Sequence, residues 1–466
     1  MEGKGGHVME PLEGKMTGTP GPESVSTKRQ RIAKLAKQMS GKALTSLSHH
    51  MDIEWLREAY RRTRKDGATG IDGQTAAEYG EALEENLASL LDRAKSGRYM
   101  APPVRRVRIP KGDGKETRPL GIPTFEDKVL QRAVAMVLEP VYEQDFVDFS
   151  YGFRPRRSAH QAVVRVREEM MKMWGGFIIE VDIRSYFDEI DRRQLREVLH
   201  ERVRDGVLLR LIGKWLKAGV LEDGAVTHPE AGTPQGGVIS PLLANIFLHM
   251  VFDLWFEEVV KPRLRGTAVA VRYADDIVIG VKRREDAERI MEVLPKRFGR
   301  YGLRLHPEKT RVVPFHRPLP GRRRKETPAN ERPGSFDFLG FTFYWGQSKL
   351  GKWIIKEQTS PRRLRRAIKR VWEWCRCHRH ESLEEQRQKL SSQLEGHYAY
   401  YGVSGNSRAL WMFYERVKEA WRRWLFRRSD RGKRTWVWIN RIFRRYPLPA
   451  PRVVHDLIAM RSEAVP

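Results

Sequence analysis

Apolar positions first fall into a sustained period near Met51, where Ile53, Leu56, Ala59 and Tyr60 recur at helical spacing. The Gly-rich stretch DGATGIDGQT ends that helix, and Tyr79 to Ser96 repeats the helical period. RRVRIPKGDGKETRPLGIPT then changes character. Two extended arms, Val104–Pro110 and Arg118–Ile122, flank Gly112-Asp113-Gly114, which predicts a β-hairpin. Helical spacing returns over FEDKVLQRAVAMVLEPVYE and again from Ala159 to Met173. The short apolar run FIIEVDI, after Gly175-Gly176, predicts a buried strand, and TAVAVRYADDIVIGV predicts two strands meeting at Ala274-Asp275-Asp276. The middle of the chain is therefore α+β with an antiparallel sheet. Beyond Pro361, Leu364, Ile368, Val371 and Trp372 keep helical spacing, which predicts a separate helical domain. Residues 1–45 show no sustained apolar period and read as a flexible arm, helical at most from Lys28 to Lys42.

Three carboxylates stand out against this pattern. Asp182 ends a predicted buried strand, and Asp275-Asp276 sit at the turn between two apolar runs. An isolated Asp-Asp is in most proteins a plain polar turn. Carboxylates at the ends of buried strands, however, need a partner or a cation. Oxygen ligands without His or Cys suit Mg²⁺ better than zinc. Two such ions about 4 Å apart would activate a 3′-hydroxyl and stabilise a leaving pyrophosphate. The cluster CRCHRH (Cys375, Cys377, His378, His380) hints at zinc, but Cys-x-Cys on a helix points its sulfurs about 200° apart. Trp421, Trp424, Trp436 and Trp438 recur at helical spacing and read as core.

Charge narrows the partners. Among 466 residues, 87 Lys and Arg face 59 Asp and Glu, a net charge of +28. Residues 361–446 alone hold 23 basic against 8 acidic side chains. Lys and Arg release counterions from phosphates, so nucleic acid is the leading partner. No run of 18 apolar residues occurs, so no membrane partner is expected. With no apolar signal segment in MEGKGGHVMEPLEGKM and only two Cys, a cytoplasmic, reducing setting is expected.

VDIRSYFDEI, GTPQGGVISPLLANIFL, YADD, GLRLHPEKT and FDFLGFTF follow in order the sequence blocks of reverse transcriptases. With RIPKGDGKETRPLGIPT and LEGHYAYYGVSGN the chain more narrowly resembles the reverse transcriptase/maturases encoded by bacterial group II introns, over about residues 50–450. That resemblance implies a right-hand polymerase fold: fingers over 46–150, palm over 151–358, an all-α thumb or maturase domain over 359–447, and a tail over 448–466. It implies Asp182, Asp275 and Asp276 as catalytic ligands of two Mg²⁺, with the Ile183 carbonyl as a further oxygen. Phe187 is implied as the steric gate against a ribose 2′-OH, Lys111 and Arg118 as the triphosphate clamp, and Gln235 as a nucleotide-pocket residue. Lys309, Arg362, Arg363, Arg365 and Arg366 are implied as primer and template contacts. The implied partners are dNTPs, an RNA template with a DNA primer, target DNA and the parent intron RNA. The short C-terminal segment implies the class that lacks an HNH endonuclease. A free-standing enzyme serving host repair or defence, or a splicing maturase with incidental polymerase activity, fits the same residues.

Overall fold

A computed structural model describes residues 24–111, 116–222, 225–227, 236–318, 333–428 and 435–457. Its first helix, α1 (Val25–Gln38), begins where the Ser24 hydroxyl accepts from the Thr27 backbone N–H. Residues 24–38 were expected within a flexible arm, yet Ile32 and Ala36 are fully buried. The reason is Arg202, whose guanidinium donates to the carbonyls of Ala36, Met39 and Lys42 at the open C-terminal end of α1 and pairs with Asp145. Those carbonyls have no partner inside the helix, so an arginine beneath them anchors the whole segment. Residues 1–23 lie outside the described residues.

The helices α2 (Ile53–Arg62), α3 (Ala76–Glu81) and α4 (Leu83–Ser96) pack around the long α5 (Phe125–Tyr142). Trp55 is fully buried there and donates its indole N–H to the Ala133 carbonyl at 2.9 Å. Between α4 and α5, β1 (Val104–Lys111) and β2 (Glu116–Ile122) form the predicted hairpin, with Ile109 opposite Arg118. Its turn, 112–115, lies outside the described residues.

The central region holds α6 (Ala159–Lys172), β3 (Gly175–Val181), α7 (Tyr186–Glu189), α8 (Arg192–Arg202), α9 (Gly206–Lys217), β4 (Val220–Glu222), β5 (Ala225–Thr227) and α10 (Ser240–Leu248). A π-helical segment, His249–Val260, prolongs α10. Then come β6 (Ala268–Tyr273), β7 (Asp276–Val281), α11 (Arg284–Arg300), β8 (Arg311–His316), β9 (Phe336–Phe338), β10 (Phe341–Gln347) and β11 (Trp353–Thr359). The pairing of β4 with β1 is parallel, so the β1–β2 hairpin grows into the sheet β2-β1-β4-β5. That pairing joins residues more than 100 positions apart and has no local signature. The main sheet, β6-β7-β3-β8, is antiparallel throughout. Alternate residues feed two cores: Ile179, Val181, Ile277 and Ile279 face one, while Ile178, Val271, Val278 and Phe315 face the other. A third sheet, β11-β10-β9, covers the second core. Most of the Arg-rich insertion expected at 317–334 falls at 319–332, outside the described residues.

The helices α12 (Pro361–Cys377), α13 (Leu383–Tyr401), α14 (Ser407–Phe426) and α15 (Trp436–Arg445) close on a core of their own around Leu390, Val417 and Trp421. Trp421 is buried as expected. Trp436, expected in the core, is instead 65% exposed with Arg422 stacked 4.6 Å from its ring centre. It is the first residue of α15, off the stripe of Ile439 and Ile442 that meets the core. Cys375 is buried while Cys377 is exposed, the opposed placement expected for Cys-x-Cys on a helix. From 448 to 457 the chain runs back along α13, where Val454 and His455 both donate to the Gly402 carbonyl.

One buried acid stands apart from all these pairs. Asp127, in the first turn of α5, is 2% exposed. Burial pushes its carboxyl up to about 7, against a lowering by the Trp215 indole N–H. With a folded pKa above the ordinary 3.8, Asp127 leaves stability intact in acid and subtracts from it as pH rises through about 7. Asp127→Asn should therefore raise the urea midpoint near neutral pH and above. Its advantage should vanish at about pH 4, and a pH-independent difference would contradict the buried-acid account.

Candidate active site

Antiparallel register carries the acidic residues to one end of the main sheet. Val181 opposite Ile277 is the last pair of β3 and β7, and one step further sets Asp182 opposite Asp276. Tyr273 pairs with Asp276 across the β6–β7 hairpin, leaving a two-residue loop of Ala274 and Asp275. Ala274 takes a left-handed φ of 55°, as the first position of such a tight turn demands. The turn rests on Gly152, where an added Cβ would come within 2.3 Å of the Ala274 nitrogen. Asp182 is pinned from the other side: its carbonyl accepts from the His306 N–H at 2.8 Å, and Ile183 bridges to Leu305.

The three carboxylates load this end with negative charge. Desolvation raises the Asp275 carboxyl, repulsion from Asp182 adds to it, and Arg118 and Arg272 oppose it. Asp276 is raised to about 6, by desolvation first and then by Asp275 and Asp182, against Arg363 and Lys309. Part of the Asp276 surface is open to the cleft, but the atoms crowded around it still strip much of its water. Lys309 reaches Asp182 with its ammonium 3.3 Å from one carboxylate oxygen. Asp182, Asp276, Lys309, Phe338, Leu339 and Arg362 line a cleft with about 340 Å³ of water-accessible space.

These donors fit a hard divalent cation in chemistry: carboxylate oxygens only, with the Asp275 and Asp276 carboxyls raised first by burial and then by neighbouring carboxylates. They are not already drawn into a cage. Among the described residues no group of three His, Cys, Asp or Glu side chains is gathered closely enough to hold an ion, and Lys309 takes up part of Asp182.

The structure brings several expected residues to this end. Arg118, on β2, lies near enough to Asp275 to lower its pKa. Arg362 lines the cleft, and Arg363 acts on Asp276, Tyr400 and Tyr401. Arg366 also faces Tyr401, whereas exposed Arg365 donates to the Pro361 carbonyl of its own helix. Phe187 is half-buried on α7, its ring 5.3 Å from that of Tyr186. Ile183 is buried. The side chain of Lys111 and the whole of Gln235 lie outside the described residues. Gly236, next to Gln235, has a φ of 111° and so close a contact with Gly121 that a Cβ there would sit 2.4 Å from the Gly121 carbonyl oxygen. Gly236 thus lies against β2, beside Gly121, three residues from Arg118.

Four further residues at this end carry signals that pattern-reading passed over. Arg272 stands directly before YADD in a buried strand, and Asn245 and Asp253 interrupt the apolar run of α10 and its π-helical extension. The fourth, Tyr400 of HYAYY, donates its hydroxyl to the Leu339 carbonyl at 2.8 Å, in the tight turn between β9 and β10. A polar residue inside an apolar run is the cue that would have found the first three.

An antiparallel sheet carrying carboxylates at the end of one strand and at the adjoining hairpin, faced by a basic hairpin and a basic helical domain, defines a polymerase palm. The chain belongs to the reverse transcriptase family: the family model "Reverse transcriptase (RNA-dependent DNA polymerase)" matches residues 109–343. Polymerases of this family generally use divalent metal ions. The chain is similar to protein YkfC of Escherichia coli K12, 37% identical over 298 residues that cover 56% of this chain and 76% of that protein. It is 35% identical over 284 residues to the group II intron-encoded protein LtrA of Lactococcus lactis subsp. cremoris, covering 58% of this chain and 46% of LtrA. It therefore spans less than half the length of LtrA. Nuclear intron maturase 2, mitochondrial, of Arabidopsis thaliana is 30% identical over 181 residues, covering 30% of this chain and 24% of that protein.

Because Gly152 lies under the turn, Gly152→Ala should displace Ala274 and Asp275 together. Primer extension should fall about tenfold or more, as expected when reacting groups move by about 1 Å. A wild-type rate in a folded variant would show that the turn does not need this support.

Proposed function

We propose that this protein copies RNA into DNA and, as a maturase, binds its parent group II intron RNA to promote splicing and mobility. The convergence of Asp182, Asp275 and Asp276 at one end of the palm sheet carries the enzymatic half of this reading. The similarity to a group II intron-encoded protein and to an intron maturase carries the other half.

In this proposal Asp182, Asp275 and Asp276, with the Ile183 carbonyl, hold two Mg²⁺. The ions supply activation of the primer hydroxyl and charge neutralisation at the leaving pyrophosphate. The remaining work falls to the chain. Lys111 and Arg118 grip the incoming triphosphate from the fingers hairpin, a point charge and a planar fork suited to phosphate. Phe187 is the proposed steric gate against a ribose 2′-OH, and Gln235 the proposed nucleotide-pocket residue. Lys309 neutralises Asp182 until substrate arrives and then contacts primer or nucleotide phosphate. Arg362, Arg363, Arg365 and Arg366 hold the backbones of primer, template and intron RNA by charge and shape, so binding weakens steeply with salt. Target DNA meets the same basic surface during mobility.

The proposed setting is the bacterial cytosol; among the described residues no helix is long and apolar enough to cross a membrane.

Extension of oligo(dT) on poly(rA) with dTTP and Mg²⁺ tests the polymerase directly. Activity is expected from the wild type and none from Asp275→Ala; equal extension by both would remove the carboxylate assignment. Phe187→Ala should admit ribonucleotides, and an unchanged sugar preference would refute the gate. For the maturase half, splicing of a flanking intron at low Mg²⁺ should depend on the protein. If splicing is the same without it, the polymerase reading stands alone.

A further inference from the structure

The acidic turn rests on a polar network that none of these roles uses. Arg272 and Asp253 are both fully buried and form a two-pronged ion pair, with Arg272 Nε 2.7 Å from Asp253 Oδ1 and Nη2 on Oδ2. The remaining arm of the guanidinium, Nη1, donates to Asn245 Oδ1 at 2.9 Å and to the Ala274 carbonyl at 3.1 Å. Asn245, 1% exposed, donates its amide to the Gly152 carbonyl. Gly152 is the residue whose Cα lies against the Ala274 backbone. The backbone of Arg272 is held as well: its N–H donates to Phe149 and its carbonyl accepts from Tyr151, both at 2.8 Å.

The network therefore grips the turn from beneath at two points, the Ala274 carbonyl and the strand before it. Its two supports are α10 and the loop 149–154. The same helix anchors the other side of the site, where the Tyr186 hydroxyl, one residue before Phe187, donates to the Ala244 carbonyl at 2.6 Å. Adjacent residues, Ala244 and Asn245, thus hold the segment bearing the expected gate and the turn bearing two expected ligands. Asp253 lies in the π-helical segment, an irregularity that often marks functional sites in helices.

Fold stability alone gives a weak reason for this arrangement. Removing two charges from water opposes folding, and a well-packed apolar pair of similar volume commonly does as well or better. Desolvation acts most strongly on Asp253, and Arg272 with His249 still holds its carboxyl below the usual range, so the pair stays ionised. A planar fork with five donors makes the four hydrogen bonds to Asp253, Asn245 and Ala274 at once, more than the three donors of a lysine can supply.

We propose that Asn245, Arg272 and Asp253 form a positioning network that sets the backbone of the Ala274–Asp275 turn, and through it the geometry in which Asp275 and Asp276 receive divalent ions. None of the three touches substrate; each acts through Ala274. The proposal rests on the polymerase reading above.

Three variants separate positioning from folding. Arg272→Lys keeps a charge beside Asp253 but loses the contact with Ala274. Asn245→Ala removes the link to Gly152. The double variant Arg272→Met with Asp253→Leu replaces the pair by apolar side chains and keeps the interior filled. Each is compared with wild type for melting temperature, primer–template Kd, kcat and dNTP KM. Each is also titrated with Mn²⁺ on the protein–primer–template complex, followed by electron paramagnetic resonance.

We expect kcat to fall about tenfold to a hundredfold, the scale for a misplaced reacting group, with dNTP KM and primer–template Kd held within about twofold. Mn²⁺ affinity should weaken severalfold in the same variants. Wild-type kcat and Mn²⁺ affinity in the folded double variant would overturn the proposal. So would losses of kcat that follow only the melting temperature or primer–template Kd, because the pair would then serve the fold alone. If wild type itself shows no extension, or Asp275→Ala extends normally, the polymerase reading fails first, a result distinct from normal variants beside an active wild type.

Discussion

Three like charges gathered at one end of an apolar sheet are the constraint on which the rest of the structure depends. Burial favours the neutral forms of Asp275 and Asp276, and the charge of Asp182 nearby adds to that pressure. A site that works with them ionised must supply positive charge from every neighbouring element. The β1–β2 hairpin brings Arg118, the loop after α11 brings Lys309, and α12 brings Arg362 and Arg363. The net charge of +28 is thus more than a surface property: part of it converges on this negative centre.

Such a centre also needs a rigid floor, because small shifts in carboxylate position change what a cation meets. Two buried layers provide it. Alternate residues of β3 and β7 pack into separate cores on both faces of the sheet, which fixes register and hence which residues reach its end. Beneath the hairpin, Arg272 and Asp253 replace water with a single directional partner set. The helical C-terminal domain is tied to the same end through Tyr400 and the β9–β10 turn.

Much of this was legible in the chain. The β1–β2 hairpin, α5, α6, β3 and the β6–β7 hairpin lie where apolar spacing put them, since each follows a local period. The carboxylates stood out because acids are rare at the ends of buried strands. Other features had no local trace. The docking of α1 depends on Arg202, more than 160 residues away, and the parallel pairing of β1 with β4 joins Val104 to Val220. Trp436 has the spacing of a core residue, but its place at the first turn of α15 leaves it exposed.

The division has a physical cause. Spacing, composition and motif order determine what a residue and its near neighbours can do, so the chain alone identified the family, the basic domain and the acidic residues. Which of those residues meet is decided by packing between distant segments. Only the fold brings Arg363 to Asp276 and places Asn245 and Asp253 beneath Ala274. A polar residue in an apolar run says that a partner exists; the tertiary structure decides which one.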